Sequence, residues 1–143
     1  MSGLTNFDIQ RYARQFNIPH FRGVFMRDTL PTSGPWKDEC AIVNLNTSQQ
    51  PGSHWVCYYK KGDRRVYFDS FGQVTPKEVQ KYLKTKQEVN EDRRVIQRNT
   101  DIVQSINSSE CGQICLMVLH LLAKGLTLQS VISLLRQRKY GYT

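Results

Sequence analysis

The sequence predicts one α+β domain in which a central, mostly antiparallel sheet packs against a buried helix. The helix is predicted from residues 114–123, which are apolar apart from one histidine. This run is too short to cross a bilayer, so it indicates a helix that is covered on nearly all sides. Ser108 or Ser109 is expected to cap its start, and Gly125 is expected to end it. Cys111 then falls in the first turn, where the helix dipole favours a thiolate.

Two consecutive strands are the second basis of the fold prediction. Residues 54–59 and 65–69 are rich in aromatic and β-branched side chains, and the polar segment 60–64 between them indicates a hairpin loop. Antiparallel strands that are joined by a short loop place the start of one strand beside the end of the other. We therefore expect His54 and Asp69 to meet at the same edge of the sheet.

The other elements are predicted from local signals. Thr5, Thr75 and Thr127 each stand where a helix N-cap is expected, with Pro76 in the first turn of the second of these helices. The expected elements are a helix over 5–16, a strand over 21–26, a central strand over 40–45, a helix over 75–84, a strand over 93–98 and a helix over 127–138. The last helix carries an apolar stripe of Leu128, Val131, Leu134 and Leu135.

Composition limits the class of protein. With 143 residues, 39% of them apolar, residues 1–143 are expected to form a single domain with a real core. No apolar run reaches membrane-spanning length and the N-terminus lacks a signal-peptide plan, so we expect an intracellular protein with no membrane contact. Three of the four cysteines lie in apolar element patterns, which favours reduced thiols over disulfides.

Basic residues are concentrated in one part of the chain. The net charge is +8, and eleven of the twenty Lys and Arg residues lie between Lys60 and Arg98. This balance favours contact with nucleic acid or an acidic partner, while a solvated basic face is the simpler interpretation. No zinc-finger or RNA-recognition signature accompanies the basic segment.

The chain contains the residue types that a cysteine nucleophile needs. Cys111 is the nucleophile type, His54 the base type and Asp69 the type that fixes the base. Gln104 is suited to form an oxyanion hole with the Cys111 backbone N–H, an arrangement typically worth about 3 kcal/mol per donor. Taken singly, His54 also fits an ordinary histidine, Asp69 a turn aspartate and Cys111 a buried thiol.

A zinc site is the other chemistry that these cysteines suggest. Cys111 and Cys115 are one helical turn apart, but no second Cys or His pair has ligand spacing, so no metal site is predicted. The spacing is also wrong for a thioredoxin-type motif, and a buried Cys115 is the simpler interpretation.

Four motifs in order resemble those of the adenains, the adenovirus maturation proteases, and of the wider clan that includes the SUMO proteases. They are Gly-Ser-His-Trp at 52–55, Tyr-Phe-Asp-Ser-Phe-Gly at 67–72, Gln104, and Asn-Ser-Ser-Glu-Cys-Gly at 107–112. The resemblance covers most of the chain, including the strand before the histidine. It implies a papain-like cysteine protease fold in the adenain/SUMO-protease arrangement.

The resemblance also implies a role for each site residue. Trp55 would pack beside the histidine and shape a narrow channel for small substrate residues, usually Gly, and Asn44 would join it in binding substrate. The implied catalytic roles are His54 as base, Asp69 as orienting acid, Cys111 as nucleophile and Gln104 as oxyanion donor.

Activation is where the sequence departs from the adenain pattern. Adenain is joined by a disulfide to an activating peptide, and Arg94 stands here at the position that matches its linking cysteine. The chain is also shorter at its C-terminal end, and Asp69 replaces a glutamate that many adenains carry. The chemistry needs no cofactor, and an activating peptide, or DNA bound by the basic segment 60–98, stays an open expectation.

The expected function is that of a viral or virus-derived cysteine endopeptidase, acting as a monomer. It would cleave capsid or core precursor proteins at Gly-containing sites during virion maturation, in the host nucleus or cytoplasm and in the virion. The alternatives are a deSUMOylating or deubiquitinating isopeptidase, an acetyltransferase that uses the same His-acid-Cys set, and an inactive binding module that keeps the fold.

Overall fold

A computed structural model describes residues 3–47, 54–84, 95–104 and 109–141. The elements in these segments follow the predicted order. They are α1 (Asn6–Gln15), β1 (Phe21–Met26), β2 (Asp38–Asn44), β3 (Trp55–Lys61), β4 (Arg64–Phe68), α2 (Lys77–Leu83), β5 (Ile96–Arg98), α3 (Cys111–Ala123) and α4 (Leu128–Gly141). The predicted turn at 49–53, together with Arg93, Arg94 and Ser108, lies outside the described residues.

The five strands form one mixed sheet in the order β1-β2-β3-β4-β5. The pairs β2–β3 and β3–β4 are antiparallel, whereas β1–β2 and β4–β5 are parallel. The α+β class is confirmed, and the predicted antiparallel pairing applies to the three central strands. The two outer pairs can be parallel because a longer connection joins the two strands of each pair. The connection from β4 to β5 contains α2.

Both faces of the sheet are covered, which explains why its central strands are buried throughout. One core contains side chains of α1, α3 and α4 against Cys57 and Phe68, and the other contains α2 against Val56 and Tyr67. Alternate residues of a strand point to opposite faces, so β3 and β4 supply both cores. The predicted buried helix is α3, of whose thirteen residues eight are buried.

The two-residue turn between β3 and β4 fixes the register of the hairpin. The predicted polar loop 60–64 is shorter in the structure, where only Gly62 and Asp63 lie between the strands. Gly62 has a φ of 58°, a left-handed conformation that suits this type of turn. The turn sets the register in which Cys57 pairs with Phe68. This register brings His54, which precedes β3, close to Asp69, which follows β4.

Helix ends confirm three of the predicted local signals. Thr5 and Asp8 form a capping box at α1, with reciprocal hydrogen bonds of 3.1 and 2.9 Å. Thr127 caps α4, where its hydroxyl accepts from the Ser130 N–H at 3.1 Å. Gly125, with a φ of 95°, follows the last turn of α3.

The predicted caps of α2 and α3 are wrong. Pro76 occupies the N-cap position of α2, without a side-chain cap bond, so Thr75 lies one residue too early. Glu110 occupies the N-cap position of α3, also without a side-chain cap bond. Its φ of −89° and ψ of 5° bring the chain into the helix directly, so Ser109 is not the cap and Cys111 is the first helical residue.

The apolar stripe of α4 is shifted from the predicted one. Leu128, Val131 and Leu135 are buried as predicted, but Leu134 is 42% exposed and Ile132 is buried in its place. Positions i, i+3, i+4 and i+7 share a helix face, and residue 134 falls outside that set.

A buried carboxylate stabilises the opposite end of the sheet from His54. Glu39, at the start of β2, accepts hydrogen bonds from the hydroxyls of Tyr58 and Tyr82. It also accepts from the Arg22 guanidinium at 2.9 Å and from the Trp36 N–H at 2.7 Å. The cluster thereby attaches α2 and the loop before β2 to the sheet.

The described residues bear on three further expectations. All four cysteines are free and buried. Within the same residues, no helix has the length and apolar character that spanning a bilayer requires. No set of three or more His, Cys, Asp or Glu side chains in the described ranges is arranged to hold a metal ion.

Candidate active site

His54 and Asp69 meet at the edge of the sheet where the hairpin places them. His54 precedes β3 and Asp69 follows β4, and the distance between His54 Nε2 and Asp69 Oδ1 is 2.7 Å. The aspartate is fully buried, whereas the histidine is partly exposed. The two ends of one hairpin thus bring a base and a carboxylate into direct contact.

The turn after Asp69 holds this pair in place. The Phe71 N–H donates to Asp69 Oδ1 at 2.9 Å, and the Gly72 N–H donates to the Asp69 carbonyl at 2.8 Å. The Phe71 ring stacks on the His54 imidazole, with the ring centres 4.6 Å apart. Asp69 Oδ1, the oxygen that contacts His54, is therefore also held by a backbone hydrogen bond.

Asn99 clamps the acid from the neighbouring chain segment. Its Oδ1 accepts from the Asp69 N–H at 3.0 Å, and its Nδ2 donates to the carbonyls of Asp69 at 2.6 Å and of Asp101 at 3.1 Å. Sequence reasoning missed this residue. The only signal, a polar residue directly after a strand, is equally typical of an ordinary turn.

Cys111 lies at the first position of α3, beside the first residue of β3. Its Sγ accepts a hydrogen bond from the Trp55 backbone N–H at 3.4 Å, and its side chain is also hydrogen-bonded to His54. Because Asp69 occupies Nε2 of that histidine, Nδ1 is the nitrogen left for the sulfur. The sulfur, the imidazole and the carboxylate therefore form one continuous chain of contacts.

The environment favours an ion pair between the sulfur and the imidazole. Burial raises the pKa of Cys111, but hydrogen bonds from His54, from the Trp55 N–H and from the Gly112 N–H outweigh it and lower the pKa. Burial lowers the pKa of His54, but its bonds to Asp69 and Cys111 raise the pKa to about 9. A thiolate facing an imidazolium is the nucleophile that cysteine-dependent acyl transfer requires.

Cys115, one turn further along α3, has the opposite character. It is fully buried, and burial raises its pKa well above the ordinary thiol value. Its Sγ donates to the Trp55 carbonyl at 3.5 Å. The Trp55 peptide units thus contact both sulfurs, and the surroundings lower the pKa of the Cys111 thiol but raise that of Cys115.

The Trp55 side chain contacts the N-terminal segment. Its Nε1 donates to the Leu4 carbonyl at 3.0 Å, and its ring lies beside Gly112. A Cβ at Gly112 would lie 3.4 Å from both Leu4 and the Trp55 ring. The residue after the cysteine therefore lies in close contact with two neighbours of the site.

Gln104 and Asn44 are the two other predicted site residues, and each is hydrogen-bonded to a residue other than Asp69, His54 and Cys111. Gln104 is buried, and its Oε1 accepts a hydrogen bond from the hydroxyl of Ser70, the residue after Asp69. Asn44 is buried at the end of β2, opposite Trp55, and its Oδ1 accepts from the Asn46 N–H at 2.9 Å. A substrate-binding role for Asn44 stays a prediction.

Solved structures share this arrangement of sheet and helices. The chain is similar to the ASFV pS273R protease, with a TM-score of 0.58, 21% identity, and coverage of 92% of this chain and 62% of that one. It is also similar to the SUMO protease Ulp1, with a TM-score of 0.56, 16% identity, and coverage of 94% and 74%. The fold is therefore the predicted arrangement of the adenain/SUMO-protease class.

Sequence relatives identify the family within that class. The family model described as adenovirus endoprotease matches residues 21–130. The chain belongs to the adenovirus endoprotease family. It is 30% identical to the protease of porcine adenovirus A serotype 3, covering 85% of this chain and 65% of that protein, and 30% identical to the protease of human adenovirus B serotype 3, covering 71% and 54%. The chain spans less than two thirds of the length of these relatives.

Proposed function

We propose that this protein is a viral cysteine endopeptidase in which Cys111 is the nucleophile and His54 its acid–base partner. The observation that carries the proposal is the continuous contact from Asp69 through His54 to Cys111, at the start of a buried helix. The opposite pKa shifts of the thiol and the imidazole support the same assignment.

The proposed reaction follows the usual two steps of thiol proteases. The Cys111 thiolate attacks the substrate carbonyl carbon, and the oxyanion is held by the Cys111 N–H and the Gln104 side-chain amide. His54 gives its proton to the leaving amine, which departs and leaves a thioester. His54 then removes a proton from water, which attacks the thioester and releases the acid and the free thiol. Asp69 keeps the imidazole oriented throughout.

The proposed substrates are viral precursor proteins with Gly next to the cleaved bond, processed during virion maturation. Trp55 is partly buried and its ring lies beside Gly112, the residue after Cys111, which supports a narrow channel that a bulky residue would not enter. Membership of the adenovirus endoprotease family supports a viral substrate and a role in infected cells and virions. The proposed active form is a monomer.

The proposal includes activation by a peptide or by DNA. Burial of some basic side chains limits the residues that DNA would contact. Lys60 and Arg65 of the basic segment are buried, and their side chains donate to backbone carbonyls. Lys77, Lys81 and Lys84 of α2 and its C-cap are exposed and are the better candidates for DNA contact. A rate increase with DNA that falls steeply as salt rises would support this contact.

The test is cleavage of a library of Gly-containing peptides, read by mass spectrometry. The Cys111→Ala variant is expected to lose cleavage by more than about 10³-fold, while Cys40→Ala, which removes a distant buried thiol, keeps it. Iodoacetamide at neutral pH should label Cys111 first, because its thiolate is favoured and Cys115 is held as a thiol. Cleavage by Cys111→Ala at the wild-type rate would contradict the proposal.

Three further assays distinguish the alternative activities from that of an endopeptidase. Release of a ubiquitin or SUMO C-terminal reporter without cleavage of free peptides would favour an isopeptidase. Transfer of label from acetyl-CoA to a protein would favour an acetyltransferase. Alkylation of Cys111 no faster than free cysteine would favour an inactive binding module.

A further inference from the structure

Ser70 connects the acid of the site to Gln104. It directly follows Asp69, it is fully buried, and its hydroxyl donates to Oε1 of Gln104, whose side chain is also buried. The Ser70 carbonyl accepts from the Val103 N–H at 2.9 Å. One residue therefore holds the segment that carries Gln104 at two adjacent points.

Gln104 needs such an attachment because it does not lie in a helix or a strand. Residues 99–104 have no regular structure after β5, and the described ladder between β4 and β5 ends at Tyr67 and Arg98. The contacts of Ser70, together with those of Asn99, continue the connection between the two chain segments past the end of that ladder. The position of the Gln104 side chain thus depends on side-chain hydrogen bonds.

The hydrogen bond from the Ser70 hydroxyl determines which end of the Gln104 side-chain amide faces away from Ser70. A glutamine side chain has an acceptor oxygen at one end and an N–H₂ donor at the other. With Oε1 bound to the Ser70 hydroxyl, the donor end is directed away from Ser70. An oxyanion is stabilised by the donor end and repelled by the oxygen, so an amide that turned round would oppose the reaction.

We propose that Ser70 is a positioning residue that presents the Gln104 N–H₂ group to the oxyanion. This inference rests on the proposed function, in which Gln104 is an oxyanion donor. Ser70 does not itself contact substrate, because it is fully buried. It acts on the rate through Gln104 alone.

A double-mutant cycle with peptide substrate tests the proposal. Ser70→Ala is expected to lower kcat about tenfold with KM little changed, and Gln104→Ala to lower it by about 10²-fold or more. The double variant should be no slower than Gln104→Ala, because Ser70 has nothing left to orient. Thr100→Ala, an exposed hydroxyl residue of the same segment, is the matched control and should keep the wild-type kcat.

Each other outcome has one meaning. A double variant slower than Gln104→Ala by the full Ser70→Ala factor, or an unchanged kcat in Ser70→Ala, would overturn the proposal. An unchanged kcat in Gln104→Ala would also overturn it, yet would leave the protease assignment intact as long as Cys111→Ala is inactive. If Ser70→Ala does not fold, Ser70→Cys, with a similar volume and a weaker donor, should show a smaller kcat loss with the same dependence on Gln104.

Discussion

The backbone N–H of Trp55 lies 3.4 Å from the sulfur of Cys111, so the first peptide unit of β3 contacts the first residue of α3. This donor favours the thiolate at the place where the helix N-terminus also favours negative charge. No side-chain substitution short of proline removes it. The sheet thus contributes to the reactivity of the sulfur through its main chain as well as through His54.

The pH dependence of cleavage should report the thiolate–imidazolium pair. The active pair exists above the lowered pKa of Cys111 and below the pKa of about 9 of His54, so kcat/KM should rise on the acid side and fall near pH 9. Asp69→Ala removes a bond that raises the pKa of His54, so its alkaline limb should move to lower pH and its kcat should fall by about 10² to 10⁴-fold. The measurement is a pH–rate profile of both proteins.

The control for this profile is Asp101→Asn. The Asp101 carboxylate pairs with Arg136 at 2.8 Å on a partly exposed surface, and it is not one of the groups that shift the pKa of His54. Its alkaline limb should coincide with that of the wild type. An alkaline limb of Asp69→Ala that stays near pH 9 would show that the carboxylate does not set the pKa of His54.

Asn99 is expected to stabilise the fold as well as the acid. Asn99→Ala removes the acceptor of the buried Asp69 N–H, one of the two donors to the Asp69 carbonyl, and a donor to the partly buried Asp101 carbonyl, which should cost about 2–4 kcal/mol of unfolding free energy. Gln97→Ala, an exposed amide two residues earlier, should stay within about 0.5 kcal/mol of wild type. Urea unfolding measures both, and equal stabilities of the two variants would contradict the clamp.

Two glycines with similar backbone conformations allow strain and crowding to be separated. Gly72 and Gly62 have φ values of 69° and 58°, but a Cβ at Gly72 would lie 2.4 Å from the Thr100 carbonyl oxygen, whereas one at Gly62 meets nothing within 4 Å. Gly62→Ala should therefore cost about 1 kcal/mol, for the left-handed conformation alone.

Gly72→Ala should cost more than about 3 kcal/mol and should also lower kcat, because the turn that fixes Asp69 must move away from Thr100. Thermal unfolding and peptide cleavage of the two variants provide the comparison. Equal losses of stability would mean that the close approach at Gly72 has no consequence.

The Glu39 cluster should affect stability but not chemistry. Glu39→Gln leaves the Arg22 guanidinium partly buried without its counter-charge, which should cost about 3–5 kcal/mol. The kcat of the folded protein should not change, because Glu39 and His54 lie at opposite ends of the sheet. Asp38→Asn, whose amide keeps the oxygen that accepts from the Gly62 N–H, is the control and should be nearly neutral. A large kcat loss in Glu39→Gln would connect the two ends.

Local sequence signals were sufficient for the elements that position the acid–base pair. A turn-rich polar segment between two aromatic strands predicted the hairpin, and the hairpin alone brings His54 to Asp69. The capping box of Thr5 and the cap of Thr127 were readable for the same reason, since their partners lie three residues away. The sequence points to Cys111 by its place in the first turn of an apolar helix and to Gln104 by its amide group, and the family resemblance implies the catalytic role of each.

The supporting residues depend on contacts that no local pattern encodes. Asn99 is thirty residues from Asp69, Ser70 is 34 residues from Gln104, and Glu39 is 43 residues from Tyr82. Each side chain is ordinary in its own segment and gains its role only from the packing. Leu134 is a different case, because helix periodicity itself places position 134 outside the face of Leu128, Val131 and Leu135, and the side chain is exposed.

The separations along the chain also order the assembly of the site in time. His54 and Asp69 are fifteen residues apart within one hairpin, whereas Trp55 and Cys111 are separated by 56 residues. A ribosome making this chain therefore releases the base and the acid well before the sulfur. A nascent chain that stops short of α3 lacks the proposed nucleophile, so the proposed activity can arise only after α3 has been made.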